Sequence, residues 1–226
     1  MIEFVESPTV ELITHNVSDN LACQAARVST GTTGDPDRDR GLIRALIRDH
    51  HGVPFEHGSM TFRIEVPLFV MPQWLKHRAG WSVSEESGRY RELQPRFYQA
   101  PAGRAVRQIG KAMDYDMRED DGLLADFRLA QRLTAERAWE TYQAVLADGV
   151  ARELARTILP TTIMKTAVVT CNPRSLMHFL SLRTSGAGTS HPQWEIEQAA
   201  RLLETHWADL MPLTHAAFVE NGRVAP

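Results

Sequence analysis

The part of the chain richest in reactive side chains is 73–91, QWLKHRAGWSVSEESGRYR. Lys76, His77, Arg78, Arg89 and Arg91 supply cations, Ser82, Ser84, Ser87 and Tyr90 hydroxyls, and Glu85 and Glu86 carboxylates. Guanidinium forks match phosphate oxygens, so this grouping suits a phosphate ester. Composition alone also leaves open a solvated loop of ion pairs. Other polar residues are ordinary when read singly: His51 and His57 as satisfied core or surface histidines, Arg174 as a helix-end ion pair. The two cysteines give neither a disulfide framework nor zinc-ligand spacing, and no metal site is expected. Cys23, in L-A-C-Q-A-A, and Cys171, at a strand end, read as buried small hydrophobes rather than activated thiolates.

The elements that must position these residues can be read from periodicity and caps. Residues 3–13 look strand-like, and Ser18 is placed to cap a short helix through Ala26. Composition makes 31–37 a loop, followed by a helix from Gly41 to His50. Met60, Phe62, Ile64 and Val66 alternate with Thr61, Arg63 and Glu65, which predicts a strand that Pro67 ends. A helix is expected to carry Trp74 and Leu75 up to His77, then a polar irregular stretch over 81–98 with a strand near 89–97. A long helix from Gly122 to Ala147 should turn Phe127, Leu133, Ala138, Tyr142 and Leu146 inward. Short helical residues 151–158, a strand over 163–170, a helix from Asn172-Pro173 to Arg183 and a helix over 193–210 complete the series. Strands and helices mixed in this order predict one α+β domain over 1–226 rather than a regular βαβ series.

Bulk properties narrow the function. The hydrophobic share of 43% and charged share of 23% are those of an ordinary globular chain able to bury a core without staples. A net charge of −3 gives no global basic field, which argues against a nucleic-acid partner for the arginine-rich 89–107 stretch. The start MIEFVESPTVELI is unlike a signal peptide and the apolar runs are too short to span a bilayer, so a cytoplasmic protein without a membrane partner is expected.

The order of residues in Lys76–Tyr90, K-H-R-A-G-W-S-V-S-E-E-S-G-R-Y, resembles the flavin-dependent thymidylate synthase signature R-H-R-x-x-S-x-N-E-x-S-x-R-Y. Further blocks stand in that family's order: A-A-R-V-S at 25–29, P-F-E-H at 54–57, Gln73-Trp74, R-E-L-A-R at 152–156, N-P-R-S-L-M at 172–177 and Q-W-E-I at 193–196. Together they cover most of the chain. The resemblance implies a mixed fold with a central, mainly antiparallel sheet, and a homotetramer with active sites at subunit interfaces. It implies that FAD, reduced by NADPH, serves transfer of a one-carbon unit from methylenetetrahydrofolate to C5 of dUMP. By position, Gln73, Ser87, Arg89 and Arg156 match phosphate-binding residues, and Glu85 and the Ser87-Gly88 backbone match positions along the nucleotide. Arg183 matches the arginine that reads the uracil edge, where a fixed cation stabilises charge developing on a carbonyl oxygen. Ser29, His51, Lys76, His77, Arg78, Asn172, Arg174 and His178 match flavin-contacting positions.

The chain departs from that pattern in four places. Lys76 replaces an arginine, the spacer Ala79-Gly80-Trp81 is one residue longer than usual, and Ser84 stands where asparagine is common. Between Arg183 and His191 the chain reads T-S-G-A-G-T-S, longer than the family's segment and lacking its aspartate. The expectation is retained chemistry with a shifted substrate range that admits UMP beside or instead of dUMP, as in relatives of nucleoside-antibiotic pathways. A dUMP-only synthase and a non-catalytic flavin- or nucleotide-binding paralogue are the alternatives.

Overall fold

A computed structural model of the chain describes residues 1–111, 114–186 and 191–226, with backbone alone for 36 and 37. The elements run β1 (Glu3–Val5), β2 (Thr9–His15), α1 (Asp19–Arg27), α2 (Pro36–Arg48), β3 (Met60–Pro67) and α3 (Met71–Trp74). They continue with β4 (Trp81–Glu85), β5 (Arg96–Tyr98), β6 (Arg107–Lys111), β7 (Asp114–Arg118), α4 (Asp121–Ala147) and α5 (Arg152–Ala155). The last are β8 (Met164–Cys171), α6 (Pro173–Arg183), α7 (Trp194–Leu210) and α8 (Pro212–Glu220). Single 3-10 turns occupy Val53–Glu56 and Arg156–Ile158. The fold is α+β with mainly antiparallel pairing.

The chain divides into two compact units. One comprises Met1–Ser7, Pro67–Phe69 and Glu86–Lys165; the other comprises Pro8–Val66, Val70–Glu85 and Thr166–Pro226. In the first, β1 pairs with β5 in parallel and β6 with β7 antiparallel. Its core gathers Phe97, Tyr142, Ala155 and Ile163. Asp120 caps α4, its carboxylate accepting from the Leu123 amide at 3.0 Å. Only part of the expected inward face of α4 is buried: Tyr142 is, but Phe127 and Leu133 are 45% and 57% exposed. Apolar residues lie on several sides of this helix, so periodicity picks out no unique face.

The second unit holds the sheet, in the order β2-β3-β8-β4. The alternation of β3 is realised, with Met60, Phe62, Ile64 and Val66 all buried. β2 pairs antiparallel with β3, with a register shift between Leu12 and Thr14. β4 is an edge strand paired antiparallel with β8, Trp81 opposite Cys171 and Glu85 opposite Ala167. Several expectations are corrected here. The 3–13 stretch is two strands, α2 begins earlier than Gly41, the helix before His77 is one turn, and the 81–98 region contains β4 and the short β5.

Helices α7 and α8 pack through buried polar groups. The start of α8 is held from a distance: Asp19 accepts from the Leu213 and Thr214 amides, each at 2.9 Å, and from the Thr214 hydroxyl at 2.6 Å. Glu204 of α7 is 8% exposed and accepts from His215 Nε2 at 2.9 Å and Arg223 Nη2 at 2.7 Å. Burial pushes this carboxyl up, but the two hydrogen bonds and the Arg223 charge outweigh it and hold the group at about 2. A carboxylate depressed from its ordinary 4.5 contributes stability that is complete above that value and is lost as pH falls towards 2. We expect urea midpoints to fall through this acid window in the wild type. The Glu204→Gln variant, less stable at neutral pH, should show a flatter profile there.

Candidate active site

The site is built around both ends of α6. At its start Asn172 is the N-cap, its Oδ1 accepting from the Ser175 amide at 2.8 Å, and Pro173 opens the first turn. Ser175 then ties the signature segment to the helix: its hydroxyl donates to the Ala79 carbonyl at 2.9 Å, and its carbonyl accepts from Trp81 Nε1 at 3.3 Å. Between these two contacts sits Gly80, with φ of +68°. A Cβ there would meet Ser175 Oγ at 2.1 Å. The longer spacer is thus a tight turn that only glycine fits, and it delivers Trp81 in register to β4.

A cavity of about 800 Å³ lies against this turn, with Lys76, His77, Arg78, Asn172, Arg174 and His178 in its wall. Six of the eight flavin-matched residues are therefore together. Ser29 and His51 are exposed and do not line it; the Ser29 hydroxyl donates to its own helix at the Ala26 carbonyl. Gly52, next to His51, does bear on the cavity indirectly: a Cβ there would lie 2.3 Å from Arg174 Nε. The Arg174 guanidinium is shared between Glu56 and the Pro226 carbonyl. Lys76 and Arg78 are exposed and have no ion-pair partner among the described residues. Glu56, Trp81 and Ser175 also line the cavity. Glu56 and Ser175 fall within recognisable sequence blocks, whereas Trp81 was visible only as part of an overlong spacer.

At the other end of α6, Arg183 reaches back across the segment. Its Nε donates to His77 Nε2 at 3.1 Å, and its Nη groups approach the Gln73 side-chain and backbone oxygens at 3.5 and 3.4 Å. Gln73 in turn donates to the Gln193 side-chain oxygen. A ring nitrogen that accepts from a guanidinium must be unprotonated, so His77 is neutral with its proton on Nδ1. Burial first, then the charges of Arg183 and His178, push His77 down to about 4. His178 is lowered by burial and by Arg174. Burial also lowers Arg183, and no carboxylate pairs with it among the described residues. Phe179 packs edge-on to the His77 ring with centroids 4.8 Å apart, which fixes the ring's orientation.

The remaining matched residues belong to the first unit and to the end of β4. Ser87 Oγ accepts from the Arg89 amide at 3.3 Å. Arg89 Nε lies 3.3 Å from Glu153 Oε2, and Arg156 Nε donates weakly to the Glu153 carbonyl at 3.4 Å. A Cβ on Gly88 would stand 3.3 Å from Arg156 Cδ, so Ser87, Gly88, Arg89 and Arg156 form one neighbourhood. Glu85 is the exposed last residue of β4. Of the divergent segment, Thr184, Ser185 and Gly186 are described, while 187–190 lie outside the described residues. Cys23 and Cys171 are both buried, and burial pushes both thiols up, Cys23 to about 11, so neither is poised as a nucleophile.

A group whose folded value is depressed from 6.5 to about 4 remains neutral until well below neutrality. We expect the His77 ring, assigned by its loss in His77→Gln, to titrate near 4 by NMR. Its contribution to stability should be complete above 6.5 and decline as pH falls towards 4.

A family model described as thymidylate synthase complementing protein matches residues 11–213. The chain is 48% identical over 236 residues to the flavin-dependent thymidylate synthase of Streptomyces avermitilis, covering 99% of this chain and 95% of that one. It is 46% identical over 236 residues to the protein of the same name from Tropheryma whipplei, covering 99% and 97%. Two crystal structures of the UMP/dUMP methylase PolB from Streptomyces cacaoi each match over 100% of both chains. The form bound with 5-Br UMP gives a TM-score of 0.93 at 45% identity, and the form bound with 5-Br dUMP gives 0.92 at 47%.

Proposed function

The chain belongs to the thymidylate synthase complementing protein family, and we propose that it is a flavin-dependent enzyme that methylates C5 of a uracil nucleotide. The observation that carries this reading is Arg183, a partly buried guanidinium held, among the described residues, by neutral acceptors alone, its charge left for a substrate. Such a cation stabilises negative charge developing on a uracil carbonyl as C5 becomes nucleophilic. Gln73, Ser87, Arg89 and Arg156 are assigned to the nucleotide phosphate, with Glu85 and Gly88 along the nucleotide.

The cavity beside α6 fits a flavin dinucleotide. Its volume is in the range of cofactor pockets, and Lys76 and Arg78 offer positive charge for a diphosphate, while Arg174 is paired with Glu56 in the same wall. The amino-terminal end of α6 adds the positive pole of a helix. Asn172, His77 and His178 give polar contacts, and Trp81 an aromatic wall. Ser29 and His51 are kept as flavin-contacting residues on sequence position alone. When bound and reduced, the flavin supplies the hydride that completes the methyl group. NADPH is assigned as the reductant and methylenetetrahydrofolate as the carbon donor. Residues 1–226 are assigned to one domain assembled as a homotetramer with active sites at subunit interfaces. The single-domain part is supported by a family match that runs through both units.

Both UMP and dUMP are proposed as substrates. The support is the likeness to a UMP/dUMP methylase along its whole length, together with the altered segment after Arg183. The dUMP-only reading is supported by relatives at 48% identity that carry the thymidylate synthase name. FAD-loaded protein with NADPH and methylenetetrahydrofolate should convert dUMP and UMP, in separate reactions, to products one methyl group heavier by mass. Turnover of dUMP alone would restrict the enzyme to thymidylate synthesis, and turnover of neither with flavin bound would leave a binding protein. Arg183→Ala should retain flavin absorbance and lose methylation by roughly a hundredfold or more.

A further inference from the structure

The residue after Arg183 is fully buried, although it opens a run of small polar residues. Thr184 Oγ1 donates to the Leu180 carbonyl at 2.7 Å and accepts from Arg223 Nη2 at 2.9 Å and Nε at 3.2 Å. The same Arg223 Nη2 donates to Glu204 at 2.7 Å, and the Arg223 carbonyl accepts from Ser181 Oγ at 2.6 Å. Arg223 has φ of 61°, a left-handed backbone that a residue other than glycine keeps only when its surroundings impose it. It therefore grips the last turn of α6 through both side chain and backbone. It also lies outside the 11–213 span of the family match.

The tip of Arg183 has weaker holders. Apart from the 3.1 Å bond to His77, its contacts with Gln73 are at 3.4 and 3.5 Å, near the limit for hydrogen bonds. The direction in which the side chain leaves the helix must then be set at its base. We propose that Arg223 is a positioning residue for the methylation reaction: by clamping Thr184 it sets where the Arg183 guanidinium meets the uracil ring. This rests on the uracil-reading role of Arg183. The clamp needs a planar fork, because one cation spans a hydroxyl and a carboxylate; a lysine at 223 can pair with Glu204 but is a point charge.

Calorimetric titration of FAD-loaded protein with dUMP, and separately with UMP, tests it. Thr184→Val and Arg223→Lys should each weaken nucleotide binding about tenfold, the effect of one lost hydrogen bond. Thr184→Ser, which restores the hydroxyl, should bind within about twofold of wild type, and flavin absorbance should be unchanged throughout. The decisive comparison is Thr184→Val in an Arg183→Ala background, where no further loss is expected because the effect runs through Arg183. An equal further loss there would make the clamp merely structural and overturn the proposal. So would wild-type binding by both Thr184→Val and Arg223→Lys while Arg183→Ala binds weakly. Unchanged binding in Arg183→Ala itself would overturn the role of Arg183 and this proposal with it.

Discussion

A guanidinium whose charge is to stay available must be held without being neutralised, and the contacts of Arg183 meet that constraint. A carboxylate beside Arg183 would hold it more firmly but cancel its charge. The chain uses His77 Nε2 and the oxygens of Gln73 instead. Burial keeps His77 neutral, and each nearby positive charge reinforces that state. The Arg183 charge and the neutral His77 ring thus stabilise each other's protonation state.

Helix α6 converts this local constraint into architecture. Its capped start fixes the turn after Arg78, its middle supplies Phe179 against His77, and its end presents Arg183. Phe179 also packs against Trp74 and Trp81, with ring centroids at 4.8 and 5.3 Å. Residues from α3, β4 and α6 therefore share one aromatic cluster, and a shift in any of them would move the others.

Much of this was legible in the sequence where the cause is local. Ser18, Asn172-Pro173 and the alternation of β3 announce themselves because caps and pleats act over a few residues. Helix α8 has a first-turn proline, Pro212, but no capping side chain before it; its amide donors are satisfied by Asp19, nearly two hundred residues away. β4 is masked by its serines, which an edge strand can leave in solvent. The exposed Phe127 and Leu133 defeat any inference from hydrophobicity alone. For the site, motif order brought most of the cavity wall together, but not Trp81 as a wall residue, nor the neutral company of Arg183, which depends on three-dimensional contact.

The turn at Gly80 separates two kinds of sequence change that are often treated alike. An added residue between Arg78 and β4 is absorbed there, because the backbone folds it into a left-handed corner and β4 resumes its pairing with β8. A single methyl group at the same place has nowhere to go, being driven into Ser175 and the Asn172 cap. In this chain, then, the length of the segment is accommodated by the turn, whereas a side chain at Gly80 is not.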